Sequence, residues 1–129
     1  MSDKKTPVEI PADPEQAQAL LARLQQAKKL CGLLGIAQKA GKVTAGTNLV
    51  TEAIRSGSPK KCPYAVFLAS DASENTKKRV TNCCTFYEVP MYRTTLTTAE
   101  IGGAIGKSGS ISVVGITDSG LSEALSKLI

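Results

Sequence analysis

From Gly41 onward the apolar period of the chain switches repeatedly between that of a strand and that of a helix, and this alternation restricts the fold more than any other feature. Lys42 to Thr44 reads as a short strand, and Gly46 to Ser56 as a helix closed by Gly57. Tyr64 to Ala69 is a continuous apolar run of the kind that fills the centre of a sheet. Ser73 to Asn82 reads as helix and Phe86 to Val89 as strand. The stretch Thr97-Thr98-Ala99-Glu100 is a capping box opening a helix through Ile105. Ser110 to Thr117 supplies a last strand and Leu121 to Leu128 the closing helix. Strands alternating with helices over short joints predict a sheet covered on both faces. The expected class is therefore α/β, a three-layer α-β-α sandwich of about 100 residues without internal repeats.

The N-terminal third has a different character. Met1 to Ala12 is polar, carries two prolines and shows no period, which predicts a disordered tail. Asp13-Pro14-Glu15-Gln16 then supplies an N-cap, a proline at the first helical position and a capping-box partner. Ala17, Leu20, Leu21, Leu24, Ala27, Cys31 and Leu34 recur at helical steps, and Gly41 ends the run. Gly32 and Gly35 leave open whether Pro14 to Ala40 is one helix or two. Residues 1–28 are thus expected to be a tail with a helical extension, and residues 29–129 the domain. The stripe Leu20, Leu21 and Leu24 could dock a partner. Packing against the chain's own domain is the favoured reading, because surface helices bury their apolar face.

With two Phe, three Tyr and no Trp among 129 residues, the core must be aliphatic and alanine-rich, and aromatic platforms for base stacking are not expected. The net charge of +5 sits wholly in the domain. Residues 1–28 hold four basic and four acidic side chains, residues 29–129 twelve and seven. The complete absence of histidine removes Ser-His-Asp triads, Cys-His dyads and imidazole bases, so no enzymatic activity is expected. A P-loop is missing, and Gly102-Gly103-Ala104-Ile105-Gly106 ends a helix where a dinucleotide fold would need it between strand and helix. Cys31, Cys62, Cys83 and Cys84 contain no Cys-x-x-Cys step; with no signal peptide and no apolar run of membrane length, they predict reduced, mostly buried thiols in a cytoplasmic protein. No metal and no cofactor is expected. Asp71 and Asp118 each follow a strand and precede a helix, and capping of backbone N–H groups is a better reading than magnesium ligation.

Between Gly41 and Asn48 a short extended run leads straight into a helix. Such a start points unpaired N–H groups and the positive end of the dipole outward, which suits an anion; in a basic chain that anion is a nucleic-acid phosphate. Gly46 lets backbone approach phosphate, Thr47 can donate its hydroxyl, and the Asn48 amide offers a donor and an acceptor to a base edge. On a helical wheel Leu49, Val50, Ala53 and Ile54 face the core, while Asn48, Thr51, Glu52 and Arg55 face out.

Five blocks of the chain resemble successive segments of the kink-turn RNA-binding ribosomal protein superfamily, in particular its bacterial YlxQ-type branch. They are Leu34-Gly35-Ile36-Ala37-Gln38-Lys39-Ala40-Gly41-Lys42-Val43, Gly46-Thr47-Asn48, Leu68-Ala69-Ser70-Asp71-Ala72-Ser73-Glu74-Asn75-Thr76, Ile101-Gly102-Gly103-Ala104-Ile105-Gly106-Lys107 and Val114-Gly115-Ile116-Thr117-Asp118. The resemblance implies a four-stranded mixed sheet in the sandwich and binding to a sharply bent internal loop with tandem sheared G·A pairs. Carried onto this chain, the RNA surface would be Lys42, Gly46, Thr47, Asn48 and Glu52, with Ser70 and Asp71 alongside and Lys107, Ser108, Gly109 and Ser110 opposite, all at one end of the sandwich. Where RNA-reading members carry Glu after the Asn and Lys three residues later, this chain has Leu49 and Glu52. Leu49 reads no base edge, and Glu52 repels phosphate unless it accepts from a base amino group.

The expected function is non-catalytic binding of structured RNA, in particular ribosomal RNA, in association with the ribosome and away from membranes. Two alternatives stand beside it: a protein-interaction module on the same fold, and the substrate-recognition subunit of an RNA-modifying enzyme. Oligomeric state is not legible in the sequence.

Overall fold

Asp13 starts the first helix as its cap, accepting from the Glu15 N–H at 2.9 Å, with Pro14 at the first helical position. The computed structural model describes residues 12–107 and 109–129, so all of the expected tail except Ala12 lies outside the described residues. Helix α1 (Pro14–Lys39) is continuous over 26 residues, and neither glycine breaks it. Gly35 has a packing reason to be there: a Cβ would stand 3.3 Å from the Ala104 carbonyl oxygen. The missing side chain lets α1 approach α4 (Thr98–Ala104) closely.

After α1 the chain alternates as its period requires. Strand β1 (Val43–Ala45) leads into α2 (Thr47–Arg55), then β2 (Ala65–Leu68), α3 (Glu74–Phe86), β3 (Met91–Arg93), α4, β4 (Val113–Ile116) and α5 (Ser119–Ser126). The strands form one mixed sheet in the order β1-β4-β2-β3. Strand β4 runs antiparallel to both neighbours, with Ala45 opposite Val114 and Leu68 opposite Val113, while β2 and β3 are parallel. Helix α1 packs on α4 and α5, and α2 packs on α3, which makes the expected α-β-α sandwich. Every residue of β2 and β4 is buried, as befits central strands covered on both faces.

The third strand lies further along the chain than its sequence suggests. Phe86 to Val89 is not a strand. Helix α3 continues through Phe86 because Val80, Cys83 and Cys84 keep its buried face in helical register, while Phe86 itself is exposed. The chain then reverses through Tyr87 and Glu88, the latter at φ 57°. Val89 is buried, and the Pro90 carbonyl accepts from the Val66 N–H at 2.9 Å. Pro90 has no N–H to give the ladder, so the paired strand begins beyond it.

The extension also departs from expectation. Leu30, Leu34 and Ala37 are buried, yet Leu21 and Leu24 are 47% and 41% exposed. The expected packing of the Leu20, Leu21 and Leu24 stripe on the domain is therefore not found for two of the three. The described part of the domain reaches only as far up α1 as Gln26, whose side-chain amide donates to the Leu128 carbonyl.

All four cysteines are free. Cys83 and Cys84 are buried, Cys31 and Cys62 half-buried. Burial first, and then the neighbouring Cys83 and Cys62 thiols, push Cys84 up to about 11. Burial also raises Cys31 and Cys62. The folded state therefore holds the Cys84 proton at pH values where the unfolded chain has released it. Stability should be unaffected by this group below about pH 9 and fall as pH rises toward 11. Thermal unfolding of Cys84→Ala across pH 8–11 should show a shallower decline than the parent. At Gly115 of β4 a Cβ would meet the Pro63 ring at 3.0 Å. Gly115→Ala should accordingly cost roughly 1–3 kcal/mol by overpacking, seen calorimetrically as a Tm lower by about 4 °C or more.

Candidate nucleic-acid interface

The direction of β4 decides which loops meet. Because β4 opposes β1 and β2, its N-terminal end lies beside their C-terminal ends, and the parallel β3 delivers its own end there too. Hydrogen bonds lock this junction: the Gly46 N–H donates to the Val113 carbonyl at 2.9 Å, Ala69 to Ser112 at 2.8 Å, and Ser70 to Leu96 at 2.8 Å. The segments Gly46–Asn48, Ser70–Asp71 and Lys107–Ser110 are thereby gathered at one end of the sheet, with Ser108 itself outside the described residues.

Gly46 caps α2 at φ 98° and ψ 149°, a conformation costly for residues with a Cβ. Its carbonyl accepts from the Val50 N–H at 3.0 Å, which starts the helix. No side chain caps α2, and its first turn carries no acidic residue. The N–H groups of Thr47, Asn48 and Leu49 therefore open outward at the positive end of the dipole, beside the exposed Asn48 amide.

Two positions of α2 differ from the helical-wheel reading. Thr51 is 1% exposed, whereas Leu49 is 58% exposed. Thr51 tolerates burial because its hydroxyl donates to the Thr47 and Asn48 carbonyls, at 2.9 and 3.1 Å, so no polar atom is stranded. With Val50, Thr51 and Ile54 turned inward, Leu49 and Glu52 come to the outside.

That outer face of α2 borders a groove of about 980 Å³. Leu49, Glu52, Ala53 and Ser56 form its helical wall, β1 lines it, and Lys60, Lys61, Lys107 and Ile111 stand around it. Three lysines thus surround one carboxylate. Neither ion pair among the described residues, Lys77 with Glu74 or Lys127 with Glu123, involves them. Lys60 and Lys61 escaped the sequence reading, although a tandem cation just after Gly57-Ser58-Pro59 was visible there.

Other expected residues are placed differently. Lys42 precedes β1, whose C-terminal end carries the α2 mouth, so three strand residues, roughly 10 Å, separate the two. The structure does not bring Lys42 to Gly46–Asn48. Ser70 is exposed beside the mouth. Asp71 is already engaged: its carboxylate accepts from the Thr98 N–H at 2.7 Å and the Thr98 hydroxyl at 3.3 Å. It caps α4, across the fold, while Ser73 caps the α3 that follows it in sequence. Asp118 caps α5 through the Leu121 N–H at 2.8 Å. Lys107, Gly109 and Ser110 are exposed. The Lys107 N–H donates to the Gly102 carbonyl at 2.9 Å, and the Gly109 carbonyl oxygen sits where a side chain on Gly102 would have to go. The loop is thus seated directly on α4 backbone.

Among the described residues no group of three or more His, Cys, Asp or Glu could hold a metal, and no helix is long and apolar enough to cross a membrane. Asp71→Ala should free the start of α4 and lower stability by about 1 kcal/mol; urea unfolding of the variant measures this.

Residues 28–126 match the model of the ribosomal protein L7Ae/L30e/S12e/Gadd45 family. The chain is 41% identical over 97 residues to the RNA-binding protein YlxQ of Bacillus subtilis, covering 75% of this chain and 91% of that protein. It is 35% identical over 89 residues to the large ribosomal subunit protein eL30 of Methanosarcina mazei, covering 69% and 79%. Among solved structures, a Bacillus halodurans protein of unknown function superposes with a TM-score of 0.68 at 33% identity, covering 78% of this chain and 95% of that one. A Giardia lamblia 15.5kD RNA binding protein superposes with a TM-score of 0.62 at 17% identity, covering 81% and 84%, and shares the fold.

Proposed function

The chain belongs to the ribosomal protein L7Ae/L30e/S12e/Gadd45 family, and on that premise we propose that it binds structured RNA without catalysis, its target a sharply bent internal loop of ribosomal RNA. The observation that carries this reading is the uncapped, carboxylate-free mouth of α2, set at the same sheet end as the Lys107 loop. Relatives named as RNA-binding and ribosomal proteins support it.

Attraction between the basic domain and the RNA backbone comes first. Backbone N–H groups at Gly46–Asn48 and the Thr47 hydroxyl then hold phosphate, while the Asn48 amide meets a base edge. Ser70 lies at the flank of this contact. Asp71 acts through Thr98, fixing the loop beside the mouth. Lys107, Ser108, Gly109 and Ser110 close from the opposite side. Glu52 faces the groove, where it can accept from base amino groups, and Lys42 reaches only an RNA that extends along β1. We assign this activity to residues 29–129, with residues 1–28 as an extension, in a ribosome-associated cytoplasmic protein.

Filter binding at several salt concentrations tests the proposal, using an RNA with a bent internal loop and tandem G·A pairs against a continuous duplex of equal length. With about three or four cationic contacts, the log-log salt slope should lie near −3. The bent loop should bind at least tenfold tighter than the duplex. A flat salt response, or equal binding of both RNAs, would overturn the reading.

A further inference from the structure

We infer that the groove beside α2 seats an unpaired guanine of the bound RNA, with the Glu52 carboxylate accepting from its N1–H and N2–H groups. The inference rests on the RNA-binding reading and adds a base preference to it.

At about 980 Å³ the groove has the size of sites that enclose a nucleotide-sized ligand. Its lining is sorted by chemistry. Leu49 and Ile111 offer apolar surface to the faces of a base, in a chain that places no aromatic ring there. Lys60, Lys61 and Lys107 offer cations to phosphates on either side. Glu52 stands among them as the one acid of the lining, and makes no ion pair among the described residues.

A carboxylate beside a phosphate path is unfavourable unless its oxygens meet donors. An ionised carboxylate only accepts, and it presents two oxygens side by side. The Watson–Crick edge of guanine presents two adjacent N–H donors, a match for that pair. Adenine and cytosine bring an amino group with a ring-nitrogen acceptor next to it, which the carboxylate repels. Uracil brings one N–H between two carbonyls. The groove therefore ranks guanine first. The lysines set the orientation, drawing the phosphates away from Glu52 and turning the base edge toward it.

Fluorescence anisotropy with the full chain and labelled UUGUU, UUAUU, UUCUU and UUUUU tests the assignment. UUGUU should bind about tenfold tighter than the other three, the low end of discrimination by a paired base contact. Glu52→Gln, which swaps one acceptor oxygen for a donor, should shrink that preference below about threefold while the Tm stays at the parent value. Lys60→Ala with Lys61→Ala should weaken all four pentanucleotides by a similar factor and keep their order. Equal binding of the four, no measurable binding of UUGUU, or a preference that survives Glu52→Gln would overturn the inference. Discrimination of the bent loop with a salt slope but without the guanine ranking would sink this inference alone. The ranking without bent-loop discrimination would sink the proposed function instead.

Discussion

Strand β4 holds the molecule together. Its antiparallel insertion between β1 and β2 closes a sheet whose two central strands are wholly buried, and the same pairing determines the position of the candidate site. The carbonyls of Ser112 and Val113 at the start of β4 accept from Ala69 and Gly46, so the ends of β2 and β1 are tied to one short segment. Loops that are 60 residues apart along the chain share an edge because backbone hydrogen bonds leave them no alternative. Had β4 run parallel to β2, the Lys107 loop and the α2 mouth would lie at opposite ends.

Absent side chains secure the same region. Gly102 leaves room for the carbonyl of Gly109, and Gly35 lets α1 approach α4. Gly46 adopts the backbone angles that turn the chain from strand into helix without a capping side chain. The cost is an α2 start whose N–H groups go without an intramolecular partner, and that incompleteness suits it to an external anion. Asp71 shows the opposite economy: a carboxylate beside the mouth is neutralised as a threat to phosphate by two hydrogen bonds to Thr98, which also fasten α4 to the loop after β2.

Much of this architecture could be read from residue order. Capping residues announced α1, α4 and α5, and unbroken apolar runs announced β2 and β4, because these signals act within a few residues. The strand expected over Phe86 to Val89 failed for the complementary reason. An apolar pair at a helix end looks like the start of a strand, and only the parallel partner β2 shows that pairing begins after Pro90. The wheel for α2 erred at Leu49 and Thr51, since a nine-residue helix can roll by a fraction of a turn and a threonine can satisfy itself on its own backbone. Within the candidate site, Gly46–Asn48 and the Lys107 loop were legible. The groove was not, because Lys60, Lys61, Glu52 and Ile111 come together only when β1, α2 and the loop before β4 are assembled.

Local chemistry along the chain determined the kinds of element, the aliphatic core, the basic domain and the exclusion of histidine chemistry, for each depends on composition or on neighbours a few positions away. Tertiary structure alone decided the rotation of α2, the engagement of Asp71 by a distant helix, the separation of Lys42 from the mouth and the exposure of Leu21 and Leu24. Those outcomes turn on which surfaces meet across the sheet, and the free energies of such contacts belong to pairs of residues far apart in sequence.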